Sequence, residues 1–206
     1  STGTKLKNKH MGTFGHISCH SFYPTKNLGA IGDGGMILTN KKVYYDQCIK
    51  LRQYGWDKKR DIKKYGINSR LDEFQSLFLN EKLSDIDNIL KKKRAIAANY
   101  KKNLDEKYLD FIQERPESMH SYHIFAIKVP ASKRNKLIRY LKKNGVNTAI
   151  HYNISCHQLK IFNNKYKLPI TEKVSKKLIS LPISLSLKNK QMKNICSKIN
   201  EFFLKN

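Results

Sequence analysis

One lysine of this chain lies in a segment whose residue types and spacing could make its amine a nucleophile. Residues 21–35 read SFYPTKNLGAIGDGG, so Lys26 falls on a glycine-rich loop between two apolar, strand-like segments, 14–22 and 36–39. A lysine packed against apolar walls or a second cation loses its proton more easily and can form a Schiff base with a carbonyl compound. The glycines let backbone amides approach a bound phosphate. The segment therefore predicts a carbonyl-reactive amine beside a phosphate site, with an ordinary hairpin loop and an incidental lysine as the alternative.

The same segment resembles, almost residue for residue, the lysine segment of the pyridoxal-phosphate-dependent sugar aminotransferases of the DegT/StrS type. Further matches follow in order: LRQYG at 51–55, GINSRLDEFQ at 66–75, IHY at 150–152 with His157, and LPI at 181–183. Because the matches run from about residue 3 to the end, the sequence is identified as a member of this family. It resembles the C-terminal portion of a member.

The resemblance assigns three residues to the cofactor. Lys26 would form the Schiff base with pyridoxal 5'-phosphate and then act as the general base that moves a proton between substrate and cofactor. Ser21 would donate its hydroxyl to the cofactor phosphate, and a polar residue at a strand end is the plain alternative. Asn68 would reach the cofactor phosphate of the neighbouring subunit in a homodimer with shared active sites, and a helix cap is its alternative.

Four further residues are assigned to the substrate by the same resemblance. Arg70 would assist an anionic substrate group across the subunit interface, with a surface salt bridge as the alternative. The segment with His151, Tyr152 and His157 resembles one near the family's sugar-nucleotide pocket. Here Asn153 stands where a proline is usual, and the Ser-Cys pair before His157 replaces a typically apolar pair. The shape of this pocket therefore does not follow from the resemblance.

The resemblance also implies a fold and a reaction. The fold is that of a fold-type I, α/β transferase, with a partial large domain and connecting helix over residues 1–102 and a smaller α+β domain over residues 103–206. The reaction is transfer of an amino group, with glutamate as the expected donor, to a keto-sugar carried on a nucleotide. The wording of residues 25–35 is similar to members that aminate dTDP-3-keto-6-deoxyhexoses in amino-sugar biosynthesis for surface polysaccharides or glycans.

Two cofactor partners implied by the family have no counterpart in the sequence. The aspartate that holds the pyridine nitrogen and the side chain that stacks on the ring would both precede residue 1. We therefore expect the chain by itself to lack transaminase activity, and to be poorly soluble or to fold at best from about Asn103 onward. A catalytically inactive remnant of the family is the alternative to the enzyme.

The net charge of +25 arises from 41 Lys and Arg residues against 16 Asp and Glu residues, and by itself it suggests an anionic partner such as nucleic acid or a lipid surface. The lysines are spread over the whole chain, and no basic stripe is interleaved with aromatic residues. We therefore favour solvated faces and a nucleotide-sugar substrate, with a basic nucleic-acid-binding protein as the alternative. No apolar run of 18 residues and no secretory signal occur, so we expect no membrane partner and a cytoplasmic location.

Metal chemistry is not favoured by the remaining candidate ligands. The four cysteines are scattered without Cys-x-x-Cys pairing, so reduced thiols are expected rather than a zinc site or a disulfide framework. His16 and His20 lie four apart on one face of a predicted strand, which permits a shared metal. No carboxylate or thiol is placed to complete the ligand set, so we favour packing and expect no metal.

Apolar spacing predicts the elements that must position these residues. A helix capped by Asn40 is expected to reach about residue 54, and a second one, capped by Asn68 or Ser69, to bury an apolar face that includes Phe74 and Leu77. A long connecting helix follows. The predicted elements from there on are helices at 84–104, 131–144 and 188–204 and strands at 109–113, 122–129 and 146–151.

Overall fold

The chain folds as two units that interleave along the sequence. The computed structural model describes residues 2–62, 64–163 and 165–205. The first unit consists of residues 1–91 and 114–123, and the second of residues 92–113 and 124–206. The domain boundary that we predicted near residue 103 stays a prediction.

The first unit contains two small antiparallel sheets. Strand β1 (Lys5–Leu6) pairs with β2 (Lys9–His10) and with β6 (Ser118–Met119), which returns from much later in the chain. Strand β3 (Ser18–Ser21) pairs with β4 (Gly35–Leu38) over four residues. The chain between β3 and β4 is the glycine-rich loop, so the two predicted strands on either side of Lys26 are confirmed, although β3 is shorter than expected.

The helices of the first unit begin at other residues than the sequence suggested. Helix α1 (Lys42–Leu51) has Lys41 at its N-cap with no side-chain cap bond, so the predicted Asn40 cap is wrong. Helix α2 (Glu73–Ser84) is capped by Asp72, whose Oδ1 accepts the backbone N–H of Gln75 at 2.8 Å, so the predicted cap at Asn68 or Ser69 is also wrong. Aspartate is as good a cap as asparagine, and it stands at the actual start of the helix.

Helix α3 (Ile86–Asn103) confirms the predicted connecting helix and passes from the first unit into the second. In the second unit, strand order is β5 (Asp110–Phe111), β7 (Phe125–Lys128) and β8 (Leu178–Leu181), all antiparallel. The remaining helices are α4 (Ala131–Lys143), α5 (Pro169–Ser175) and α6 (Asn189–Leu204).

The core of the second unit lies between this sheet and its helices. Side chains buried to below two per cent exposure include Ile127 and Ile179 of the sheet, Leu137 of α4 and Ile199 of α6. The helical spacing of apolar residues in α6 predicts an inward face, and every residue of that face is buried: Met192, Ile195, Cys196, Ile199 and Phe203. The predicted strand at 146–151 is instead reduced to one bridge between Ala149 and Ser180. No helix in the described ranges combines the length and apolar character needed to cross a membrane.

Candidate functional site

Lys26 lies on a tight turn whose backbone is closed by hydrogen bonds. Its N–H donates to the carbonyl of Tyr23 at 2.8 Å, and the side chain is half-buried. At the base of the loop, the N–H of Phe22 donates to Gly34 O at 2.8 Å, and that of Ala30 donates to Phe22 O at 2.7 Å. The lysine is therefore presented by a fixed backbone rather than by a free hairpin tip.

A small apolar cluster lies beneath the loop. Phe22, Leu28 and Ala30 pack with Leu79 of α2. At Gly29 the backbone approaches so closely that a Cβ atom would lie 2.4 Å from the carbonyl oxygen of Pro24. Only glycine fits there, so this glycine serves the close packing of the Lys26 turn itself.

Two side chains from helix α2 hold the glycine-rich part of the loop. Gln75 Oε1 accepts the N–H of Gly32 at 2.9 Å, and its Nε2 donates to Asp33 O at 3.2 Å. Lys82 Nζ donates to the carbonyl of Gly29 at 2.8 Å. The sequence assigned no role to either residue. Gln75 is the last residue of the motif at 66–75, and its place in that motif is the only feature of the sequence that points to a role for it.

A third contact reaches the loop from the segment that returns to the first unit. The buried side chain of Asn27 donates from Nδ2 to the carbonyl of Ser121 at 2.8 Å. Ser121 is itself buried, and its Oγ accepts a hydrogen bond from Thr4 Oγ1 at 2.9 Å. The partners are 94 residues apart, so no sequence pattern pointed to this contact.

Ser21 ends strand β3 with an exposed side chain, opposite Gly35. Its Oγ accepts the backbone N–H of Tyr23 at 3.3 Å. This arrangement leaves the hydroxyl hydrogen available to an oxygen acceptor at the mouth of the Lys26 loop. Its assignment to the cofactor phosphate stays a prediction.

Asn68 and Arg70 are positioned by pairing between two of the motifs. The N–H of Ile67 donates to Leu51 O at 2.8 Å, and Asn68 bridges Gln53, so residues 51–55 and 66–70 run side by side. Gly66 makes this possible, because a Cβ there would lie 2.2 Å from the backbone nitrogen of Gly55. The pairing fixes the backbone at Asn68, and Arg70 follows two residues later, ahead of helix α2.

The two side chains contact each other at the edge of an open cleft. Arg70 Nε donates to Asn68 Oδ1 at 2.9 Å, and both residues are exposed. They line a cleft of about 1070 Å³ together with Arg52 and Asp33, and neither Lys26 nor Ser21 is among its lining residues. Two guanidinium groups and an amide can bind an anion. The cap alternative for Asn68 does not apply, since Asp72 caps the helix.

The three predicted substrate residues of the second unit have different surroundings. His151 Nδ1 is 2.8 Å from Ser180 Oγ, and Tyr152 is 71% exposed. His157 is only 8% exposed, and its Nε2 lies 3.0 Å from Glu172 Oε1. This hydrogen bond is the main reason that the pKa of Glu172 is lowered. Of the three, Tyr152 is the side chain most available to a ligand.

His16 and His20 have separate neighbours. The ring of His16 packs edge-on against Tyr44, whereas His20 lies 3.4 Å from both Thr2 Oγ1 and Ser18 Oγ. Partial burial lowers the pKa of His20. Across the residues that the structure describes, no group of three or more His, Cys, Asp or Glu side chains is arranged to hold a metal ion.

The residues of the first unit fit the group that the Lys26 segment implies. A half-buried amine at Lys26 and an exposed hydroxyl at Ser21 belong to one glycine-rich segment and lie five residues apart in the chain, and these are the kinds of group that bind an aldehyde and a phosphate. The cleft with Asn68 and Arg70 offers a second place for an anionic group.

The chain matches one known protein family over nearly its whole length. The DegT/DnrJ/EryC1/StrS aminotransferase family matches residues 1–200. A pleiotropic regulatory protein of Geobacillus stearothermophilus is 37% identical over 98% of the chain, which covers 55% of that protein. The GDP-perosamine synthase of Escherichia coli O157:H7 and a dTDP-3-amino-3,6-dideoxy-alpha-D-galactopyranose transaminase of Aneurinibacillus thermoaerophilus are each 33% identical, over 98% and 97% of the chain and over 56% and 55% of their own lengths.

Solved structures give the same result for the fold. The crystal structure of Streptomyces venezuelae DesV, in complex with a ketimine intermediate, matches with a TM-score of 0.90 at 28% identity, over 97% of this chain and 55% of that one. An aminotransferase of the same family from Brucella abortus matches with a TM-score of 0.91 at 28% identity, over 98% of this chain and 55% of that one. The predicted fold class is confirmed. The chain spans about 55% of the length of the proteins that it matches.

Proposed function

The chain belongs to the DegT/DnrJ/EryC1/StrS aminotransferase family, and we propose that it forms the lysine-bearing part of an enzyme that transfers an amino group to a nucleotide-linked keto-sugar. The cofactor predicted from the sequence, pyridoxal 5'-phosphate, is confirmed at the level of the family. The observation that carries the proposal for this chain is the position of Lys26, half-buried on a loop that the side chains of Asn27, Gln75 and Lys82 hold in place.

Each residue of the loop has a distinct task in this proposal. When bound, pyridoxal phosphate supplies an aldehyde that combines with amines and a ring that withdraws electrons. Lys26 would provide the amine that holds the aldehyde, and its free Nζ would take up and return a proton as the general base. Ser21 donates its hydroxyl to the phosphate. The glycines of residues 29–35 shape the loop that carries these groups, because Gly29 allows the close approach to Pro24 O that the turn requires.

The substrate class is supported by the relatives and by the charge of the chain. Two relatives are named for a GDP-linked and a dTDP-linked amino sugar, so the nucleotide differs among them. A net charge of +25 favours binding of a diphosphate. We propose a dTDP-3-keto-6-deoxyhexose as acceptor, glutamate as donor and amino-sugar biosynthesis as the role. The cytoplasmic location stays a prediction.

Asn68 is proposed to serve the site of a second subunit. It lines a cleft that does not include Lys26 or Ser21, and Arg70 donates to its Oδ1, which leaves the amide hydrogens of Asn68 to bind an acceptor such as phosphate. Arg70 would then meet an anionic substrate group in the same cleft. A homodimer with shared sites follows from this assignment.

In the second unit, we propose that Tyr152 contacts the sugar nucleotide and that His151, held by Ser180, lies beside it. His157 was predicted to bind substrate as well. Its burial against Glu172 supports a narrower role, in which it fixes the segment that follows Tyr152. The substrate-binding role of His157 stays a prediction.

The chain alone is proposed to be inactive, as expected from the sequence. Strand β4 exposes Met36, Ile37 and Leu38 to 46–51%, so both faces of a two-stranded sheet remain uncovered. Sheets of two strands are rarely stable by themselves. The matched proteins are almost twice as long, so a further polypeptide segment is expected to cover these strands. An inactive remnant would show the same exposure, and only a measurement separates the two.

The test uses borohydride trapping, which requires only that Lys26 reacts. The purified chain is incubated with pyridoxal phosphate and reduced, and modification of each lysine is measured by peptide mass spectrometry. Lys26 should be modified well above the exposed Lys42, and the near-ultraviolet absorbance of the adduct should fall in Lys26→Ala but not in the control Lys42→Ala. Equal modification of both lysines would remove Lys26 from its proposed role.

Activity and subunit sharing are tested in a protein that also contains the further segment proposed to cover strands β3 and β4. Glutamate-dependent turnover is expected there and not with residues 1–206 alone. Mixed dimers of Lys26→Ala and Asn68→Asp subunits should regain turnover, because a hybrid contains one intact site and the added carboxylate repels phosphate only in the other. Hybrids without any turnover would show that Asn68 serves its own chain.

A further inference from the structure

The side chain of Asn27, adjacent to Lys26, is buried and anchored to a distant part of the chain. It is 6% exposed, in a chain where most polar side chains are solvated. Its Nδ2 donates to the carbonyl of Ser121 at 2.8 Å. An amide buried in this way fixes the peptide that follows Lys26, because both ends of the hydrogen bond are excluded from water.

The acceptor of this hydrogen bond is itself held in place. Ser121 is 1% exposed, and its Oγ accepts from Thr4 Oγ1 at 2.9 Å. Two residues earlier, Met119 pairs with Lys5 in the sheet formed by β1 and β6. The carbonyl of Ser121 is therefore held rigidly and can anchor the loop.

Burial of the Asn27 side chain has a cost in stability, because within the described part of the chain only one end of its amide group is hydrogen-bonded. Asn27 Oδ1 is buried and accepts no hydrogen bond from the residues that the structure describes. A buried acceptor without a donor lowers stability, and an apolar side chain in its place would avoid that cost. The neighbouring Leu28 and Ala30 already supply the apolar packing.

We propose that Asn27 is a positioning residue, which sets where the amine of Lys26 lies through the hydrogen bond to Ser121. The Lys26 side chain is only half-buried, so the place of its amine depends on the backbone from which it extends. Without the Asn27 donor, the backbone next to Lys26 loses its anchor at Ser121. Gln75 and Lys82 still hold the loop at Gly32 and Gly29. The inference rests on the proposed role of Lys26 for its functional meaning, but the anchoring itself does not.

The experiment compares Asn27→Asp, which keeps the shape and loses the donor, with Asn27→Ala and with the control Asn88→Ala. Asn88 is an exposed asparagine of the same unit, whose Nδ2 donates to Asp85 Oδ1 at 2.7 Å away from the loop. Amide hydrogen exchange is followed for peptides covering 22–34 and for peptides of the second unit. Modification of Lys26 by pyridoxal phosphate and borohydride is measured on the same samples.

In both Asn27 variants, exchange at 22–34 should rise at least about threefold while the second unit is unchanged, and trapping at Lys26 should fall relative to Lys42. Asn88→Ala should match the parent chain. Parent-like exchange in both variants, a uniform rise over the whole first unit, or failure of either variant to fold would overturn the proposal. Unselective trapping in the parent chain would instead count against the proposed role of Lys26 and leave the exchange result to decide the anchoring.

Discussion

The two units of this chain are stabilised in different ways, although they share one lysine-rich composition. Of the 28 buried apolar side chains among the described residues, 21 belong to the second unit. The first unit exposes apolar residues on β4, α1 and α2, and its loop depends on polar contacts from Asn27, Gln75 and Lys82. The second unit is therefore a self-contained core, and the first is a scaffold for one loop.

The difference is clearest on two helices for which apolar spacing predicts a buried face. The apolar face predicted for α2 is exposed, with Phe74 at 70% and Leu77 at 68%, and only Leu79 is buried. Helix α6 buries every residue of its predicted face. Apolar periodicity indicates which side chains of a helix are suited to burial. It does not show whether other residues of the same chain pack against them.

The largest expected effect comes from a matched pair of leucines. Leu137→Ala in the core of the second unit should lower the free energy of unfolding by about 2–5 kcal/mol, since it leaves a cavity. Leu77→Ala in the first unit should change it by less than about 0.5 kcal/mol, because that side chain is already in water. Urea unfolding measures both. A comparable loss in the two variants would show that the exposed face of α2 is covered in solution.

Next in size is Gly29→Ala, which tests whether close backbone packing orders the first unit. The added Cβ would lie 2.4 Å from Pro24 O, so the Lys26 turn must shift, at a cost of about 1–3 kcal/mol. Hydrogen exchange at 22–34 and borohydride trapping of Lys26 should both report the shift. Gly145→Ala, where a Cβ meets nothing within 4 Å, is the sterically open control, although its positive φ adds some strain of its own. Hydrogen exchange and trapping like those of the parent chain in Gly29→Ala would mean that close backbone packing does not order this turn.

A smaller loss of stability is expected when the hydroxyl of Tyr100, a buried tyrosine of helix α3, is removed. Tyr100 is fully buried and donates its hydroxyl to Pro182 O at 2.8 Å. Burial raises the pKa of this phenol, so it remains a donor at alkaline pH. Tyr100→Phe should cost about 1–2 kcal/mol, because the carbonyl loses its partner. Thermal unfolding measures this loss of stability. In the same assay Tyr65→Phe, at a fully exposed position of the first unit, should show no measurable loss.

The smallest effect concerns pH and the pair formed by His157 and Glu172. The hydrogen bond from His157, together with the N–H of Leu168, lowers the pKa of Glu172 in the folded chain. Its stabilising contribution is therefore complete above the unfolded pKa of about 4.3 and is lost as pH falls through the lower folded value. Glu172→Gln should therefore flatten the decline of Tm between about pH 5 and about pH 3, because the variant has no carboxylate to protonate there. An unchanged acid limb would mean that the pair does not persist in solution.

The sequence predicted helices α4 and α6 of the second unit because their signals are local, whereas it did not predict the short helix α5. Helix α4 begins after Pro130 and α6 shows an unbroken apolar period, and both lie where expected. The strand at 146–151 failed because one bridge to Ser180 satisfies only Ala149, and β-pairing depends on partners far along the chain. Caps failed for a related reason, since Asn40 and Asn68 are good caps that do not stand where helices begin.

For the candidate site, sequence motifs identified the residues that we propose to carry the chemistry and missed the residues that hold the loop in place. Lys26, Ser21 and Asn68 were named from motif wording. Asn27, Gln75 and Lys82 were not, because their roles consist of hydrogen bonds to backbone atoms 43, 53 or 94 residues away. Because the partner in each contact is a backbone atom, which every residue type carries, the partner's sequence gives no signal.

The return of residues 114–123 to the first unit has a consequence for biosynthesis. The ribosome completes the Lys26 loop early, but Ser121 emerges 94 residues after Asn27. At about 5–20 residues per second, the loop must wait roughly 5–20 seconds for its anchor. No single cut in the gene separates the two units either, so a shortened chain that ends within helix α3 would keep the contacts of Gln75 and Lys82 but would never gain the anchor at Ser121.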